Sequence, residues 1–334
     1  MTVGASPSLL DMPEIVMDKI LEKSDYRALM CLRKVCHTLR SYIDQNLPEA
    51  NFQSINIHLE DDHVILHYQL HGFEEDVVRY YMRDDGCHLV HDNKYLCLEG
   101  TSHKEIFFED FRCILKFQRS SNLHGFLILG RDIYDEDVYQ EFLASVGTIL
   151  ENSGRILKSA ELLIDAPKQN LMLQFLPYFD AQVLKKVHFE PRERLEMNRI
   201  VELAQWKNLE HVVLRNVVIN PGIEHFLHLK RATLNFDTIS GEELKRVKET
   251  LISTPSMGPF YIGHQNYGAS YEFGHLVGDP VIFERYDEKR WFFNIPGDND
   301  KLLYVFTDDD DYEMQFTFEK TPKAHISEGV EIYD

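Results

Sequence analysis

No stretch of this 334-residue chain approaches about 18 consecutive apolar residues, so no membrane-spanning helix is expected. Basic residues are scarce: 35 Lys and Arg stand against 55 Asp and Glu, a formal net charge of −20. Non-specific nucleic-acid binding and anionic-membrane binding both need a basic surface, so neither partner is expected. Cysteine is limited to an odd five: Cys31, Cys36, Cys87, Cys97 and Cys113. The segment Met1 to Asp11 lacks the basic start and apolar core of a secretory signal. Free thiols in a reducing compartment, cytoplasmic and/or nuclear, are therefore expected. Signatures of catalysis are missing too. There is no Gly-x-Ser-x-Gly, no Gly-rich phosphate loop and no His-Glu-x-x-His, so nothing points to an enzyme or a catalytic residue.

Metal and cofactor signals are equally thin. Cys87, His91 and Cys97, with His88 beside them, follow a Cys-x3-His-x5-Cys spacing, whereas structural zinc sites favour two tight pairs. Cys31 and Cys36 are too far apart for a Cys-x-x-Cys redox pair. The four aspartates Asp308 to Asp311 lack the alternation, central Gly and closing Glu of a calcium loop, and read as a solvated turn. Neither a metal nor a cofactor is expected.

What is present is an ordinary folded composition, 44% hydrophobic and 12% aromatic, of a length that suits about two domains. The first 50 residues carry helical periodicity alone. Asp11 is placed to cap a helix entered through Pro13 and Glu14, with Ile15, Val16, Ile20 and Leu21 at helical spacing. A second helix starts at Ser24 or Asp25 and carries Leu29, Leu32 and Val35. A third runs from about Cys36 to Asn46 before Pro48. So short a bundle buries too little surface to be very stable alone, and it must lean on a partner or on the rest of the chain.

From Phe52 the period becomes two. A hairpin is expected to turn at Glu60-Asp61-Asp62, with further strands at Tyr95–Leu98, Ile106–Phe108, Ile114–Phe117 and Phe126–Leu129, then a helix over 135–150. Four segments beginning at Leu157, Leu184, Leu209 and Leu229 then share one form, a leucine, a charged residue and a short strand, at intervals of 27, 25 and 20 residues. Amphipathic stretches lie between them, at 171–179, 194–206 and 223–226. That spacing suits a leucine-rich-like solenoid, in which neighbouring units stack into a parallel sheet. A helix follows at 242–251. Strands are then expected at 270–276, 281–286, 290–295, 302–307 and 313–319, as antiparallel hairpins.

The fold class is therefore α+β: a short three-helix N-terminal module, an α/β repeat region and C-terminal antiparallel hairpins. The corresponding parts are residues 1–50, a β-rich connection over 51–133, an α/β repeat domain over 134–274, and an acidic hairpin region over 275–334. Residues 279–334 hold six basic and fifteen acidic residues, whereas residues 1–50 hold six and seven.

The run Leu10-Asp11-Met12-Pro13-Glu14-Ile15-Val16, then Ile20-Leu21, then Leu32-Arg33-Lys34-Val35-Cys36 with Leu39-Arg40 and Ile43, resembles an F-box. Met12 replaces the usual opening leucine, and Thr38-Leu39 stands where many members have Arg-Trp. The region 134–274 resembles the FTH domain that follows many nematode F-boxes. The resemblance implies docking on a Skp-type adaptor, and through it on a cullin–RING ubiquitin ligase, with the downstream region recruiting a protein substrate by proximity rather than by bond chemistry. A non-degradative interaction adaptor, in translational control for example, would use the same module. The adaptor contacts are expected at Leu10, Met12, Pro13, Ile15, Ile20 and Leu21, supported by Leu32, Val35 and Cys36. On the solenoid strand face the expected substrate contacts are Lys158, Glu161, Lys185, His188, Glu210, His211, Lys230 and Arg231.

Overall fold

The computed structural model describes residues 9–130, 133, 135–165, 168–190, 195–214, 219–220, 222–265, 268–283, 288–309, 314–326 and 330–333. Tyr134, Asp310, Asp311 and Glu313, which figure in the expectations above, lie outside the described residues. The chain divides into two compact units, Met1–Glu161 with Tyr178–Val183, and Leu162–Pro177 with Leu184–Asp334.

The first unit begins with α1 (Glu14–Glu22), α2 (Tyr26–Val35) and α3 (His37–Asn46). Asp11 lies in a 3-10 turn, Leu9–Asp11, and Pro13 itself holds the N-cap position of α1. The Asp25 carboxylate caps α2 by accepting from Ala28 N at 2.7 Å. Cys36 caps α3, its Sγ accepting from Leu39 N at 3.5 Å. Beyond α3, Leu47 takes a left-handed conformation (φ 43°), which turns the chain into Pro48.

A six-stranded mixed sheet follows: β1 (Phe52–Leu59), β2 (His63–Leu70), β3 (Glu75–Arg83), β4 (Gly86–His91), β5 (Lys94–Glu99) and, after α4 (His103–Phe117), β6 (Leu123–Gly130). β1 to β5 form an antiparallel meander, and β6 lies parallel to β1 on its other side. α5 (Glu136–Ser153) comes next, and β7 (Ser159–Ile164) begins in the first unit and ends in the second. The hairpin at residues 60–62 forms as expected. The two strands expected at Ile106–Phe108 and Ile114–Phe117 are instead one helix, α4. Phe107, Phe111, Ile114 and Leu115 recur on its buried face at helical spacing, and the Glu105 carboxylate accepts the Ser102 N–H at its start.

The second unit holds α6 (Gln169–Phe175), β8 (Lys186–Phe189), β9 (Leu195–Glu196), α7 (Ala204–Lys207), β10 (His211–Leu214), β11 (Ile219–Asn220), β12 (Arg231–Phe236), α8 (Gly241–Ser253), β13 (Phe260–His264), α9 (Ala269–Val277), β14 (Val281–Phe283), β15 (Glu288–Ile295), β16 (Asp298–Asp309) and β17 (Met314–Pro322). β8, β10, β12 and β13 are parallel neighbours, with Val187, Val212, Ala232 and Phe260 in one buried row. Leu184, Leu209 and Leu229 are buried just ahead of their strands. β13 then pairs antiparallel with β17, and β17, β16, β15 and β14 continue as a meander.

The strand expected at Ser270–Leu276 is the helix α9. Ala269, Ser270, Phe273 and Gly274 face inward one turn apart, and Phe273 meets Trp291 and Phe316 edge-on. The amphipathic stretch expected over 194–206 supplies only the two residues of β9 and the single turn α7 among the described residues. Also among the described residues, no helix is long and apolar enough to cross a membrane.

Candidate protein-docking site

Helices α1 to α3 do not stand alone. Tyr26 of α2 packs its buried ring against Phe52 of β1, Tyr68 of β2 and Phe117 of α4, at centroid distances of 5.0, 5.6 and 5.9 Å. The Arg27 guanidinium closes on the Asp76 carboxylate of β3, with Nε to Oδ2 at 2.6 Å. Arg33 of α2 makes a two-pronged pair with Asp44 of α3, at 2.7 and 3.0 Å. Glu49 accepts the backbone N–H groups of Arg119 and Ser120. Burial pushes the Glu49 carboxyl up, but these donors outweigh it and hold it below its usual value. Of the two supports open to so short a bundle, a partner or the rest of the chain, the second is present.

With the inner face anchored, Met17, Leu21, Leu29, Leu39 and Ile43 are used up as core. The outer apolar residues are not. Leu10 is 44% exposed, Met12 41%, Ile15 67% and Val35 68%, and Val16 and Pro13 are exposed beside them. Ile20, Leu32 and Cys36 are half-buried. Leu21, expected among the contacts, is 1% exposed, because it faces the interior of the bundle one turn below Met17. Val16 is the exposed neighbour that the sequence reading left out. The helical period that carries Met17 and Leu21 inward turns Val16 outward.

The residues expected to meet a substrate are distributed over both units: Lys158 and Glu161 in the first, the other six in the second. In the second unit Glu210 N and His211 N donate to the Lys185 carbonyl, and Lys230 N and Arg231 N donate to that of Glu210. Those backbone steps align the charged residues, and Lys230 Nζ reaches Glu210 Oε2 at 2.7 Å, holding that carboxyl below its usual value. Strand parity fixes the outer rows. Val187 and Phe189 point into the core, so Lys186 and His188 point out. Lys186, His211 and Arg231 are register partners, and His188, Val213, Thr233 and Tyr261 form the next row. Lys186, Thr233 and Tyr261 share these rows and are not among the expected residues. Applying the two-residue period backward from His188 would have found Lys186.

Cys87, His91 and Cys97 do not gather into one ligand group. Cys87 is fully buried on the inner face of β4, next to the outward-facing His88. His91 turns to Asp76, with Nε2 at 3.2 Å from Oδ1. All five cysteines are free thiols.

The first unit is thus a small helical module fixed to a mixed sheet, with an apolar edge exposed among the described residues. Residues 9–49 match the F-box domain and residues 140–272 match the FTH domain, so the chain carries an F-box domain followed by an FTH domain. Among curated proteins it is similar to F-box A protein 224 of Caenorhabditis elegans, 22% identical over 254 residues. That match covers 73% of this chain and 63% of the relative, so the chain spans less than two thirds of the relative's length. No solved structure matches the chain.

Proposed function

We propose that this chain is a substrate receptor of a Skp–cullin–F-box ubiquitin ligase. Its F-box docks on a Skp-type adaptor, and the downstream region holds a protein for ubiquitylation. The observation that carries this reading is the open apolar edge of Leu10, Met12, Ile15, Val16 and Val35, on a bundle whose inner face is already satisfied. Apolar area of this kind on an otherwise complete module favours burial against a partner. The role needs no catalytic residue in this chain, since transfer is performed by the ligase and its ubiquitin carrier. It places the chain in the cytosol or nucleus.

We read the parallel part of the second unit as stacked leucine-rich-like units. The outer rows Lys186, His211, Arg231 and His188, Thr233, Tyr261 form its recognition face. The test is co-purification with a Skp-type adaptor, which the double change Leu10→Ala with Pro13→Ala abolishes while folding is kept. Wild-type protein that never captures the adaptor, or a double variant that still does, overturns the docking reading. A partner that binds and is not ubiquitylated would favour the non-degradative adaptor instead.

A further inference from the structure

The open edge of the first unit's sheet holds a second group of side chains that docking does not use. Asp85 sits in the turn between β3 and β4, His88 on β4 and Cys97 on β5. His88 and Cys97 are direct register partners, so their side chains leave the same face of the sheet a few ångströms apart. Asp85 is brought over them by the tight turn into Gly86, whose φ of +142° and close approach to the Leu98 carbonyl leave no room for a Cβ. One ligand atom from each of the three residues lies within 4.8 Å of the others. His88 Nε2 is 2.7 Å from Asp85 Oδ1, and Cys97 Sγ is 3.6 Å from Asp85 Oδ2.

The histidine is oriented from behind. Its Nδ1 bonds to the Tyr95 hydroxyl, and the two rings meet edge-on. Its Nε2 is shut off from solvent and makes no hydrogen bond, because the nearby Asp85 oxygen is misaligned for one. An imidazole held at one nitrogen, with the other aimed at a carboxylate and a thiol, is the arrangement by which outer partners position metal ligands.

We propose that Asp85, His88 and Cys97 form a binding site for a borderline-soft divalent cation, zinc above all, with water as the fourth ligand. Nδ1–H donating to the Tyr95 oxygen leaves the Nε2 lone pair for the ion. One oxygen, one nitrogen and one sulfur suit zinc, whereas calcium and magnesium demand oxygen throughout. Without a cation, burial and the Asp85 carboxylate push the Cys97 thiol up, as expected where two anions would face each other. Binding displaces the thiol proton to solvent and pins β5 to β4 at an edge that would otherwise be open to other strands. The neighbouring group Asp76, His91 and Asp92 is a different case, since the Arg27 guanidinium already covers Asp76 and lies 3.8 Å from Asp92.

The experiment titrates cobalt(II) into the chelator-treated full chain. The expected result is a thiolate-to-cobalt charge-transfer band that saturates near one equivalent and is bleached by zinc. Cys97→Ser removes the band, Asp85→Asn weakens binding by about tenfold or more, and His91→Gln leaves the band unchanged. Circular dichroism checks that each variant is folded; Asp85 lies in an exposed turn and serves if Cys97→Ser misfolds. The absence of a band, a band that survives Cys97→Ser, or equal loss in His91→Gln overturns the site. None of these outcomes depends on the adaptor.

Discussion

Arg27, the second residue of α2, closes on Asp76 of β3, whose side chain is only 2% exposed. A carboxylate so shielded is costly to bury without a cation against it. His91 Nε2 also approaches Oδ1, at 3.2 Å, but Arg27 makes the two-pronged contact. The F-box helices are therefore fastened to the sheet by an ion pair as well as by the Tyr26 ring.

Arg27→Ala leaves Asp76 with a poorly compensated charge. Arg27 is itself half-exposed, so the expected loss, about 1–3 kcal/mol, is below that for a fully buried pair. Urea unfolding of the variant measures it. Amide exchange should accelerate first in residues 14–46, and the double variant Arg27→Met with Asp76→Asn should recover part of the loss.

His103 gives the first unit an acid sensitivity. The ring is 6% exposed, its Nε2 has no hydrogen bond, and burial followed by repulsion from Lys104 lowers its pKa to about 4 from an ordinary 6.5. The unfolded chain then binds the proton more readily than the folded one. The stability this group contributes is complete above pH 6.5 and is lost as pH falls from 6.5 towards 4. The loss reaches at most about 3 kcal/mol. Thermal melts across that window should show the decline, and His103→Phe should flatten it.

Trp291 anchors the meander of the second unit. It is fully buried, stacks near Phe316, meets Phe273 edge-on and donates Nε1–H to the Gly278 carbonyl at 2.9 Å. Trp291→Ala should cost about 3–5 kcal/mol in denaturant unfolding. Trp291→Phe should cost less, since the ring contacts survive and only the indole bond is lost.

The outer rows of the parallel strands predict the opposite behaviour. Lys186→Glu with Arg231→Glu should leave the melting temperature nearly unchanged, because neither side chain is buried. The same pair should weaken partner capture and change the salt dependence of that capture. Partner capture at two ionic strengths checks both.

How far the sequence could be read depended on period and parity. The F-box helices and the Phe52–Leu70 hairpin were legible because caps, turn residues and apolar spacing agree there. α4 was not, since Ile106-Phe107-Phe108 is an apolar run too short to reveal its period by itself. β3 and β4 were missed because Arg79, Arg83 and His88 dilute their alternation. The Asp85, His88 and Cys97 group was hidden for a geometric reason: it joins a turn and two strands, and the tempting partner Cys87 lies one residue away on the opposite face.

The central claim is that the open edge of α1 and α2 is a docking surface and not part of the fold. The most direct measurement is the affinity of a purified Skp-type adaptor for the wild type and for Ile15→Asp with Val35→Asp, alongside the melting temperatures of both. Those two residues are 67% and 68% exposed, so the melting temperature should barely move while affinity falls by about two orders of magnitude or more. Unchanged affinity in a folded variant would contradict the account.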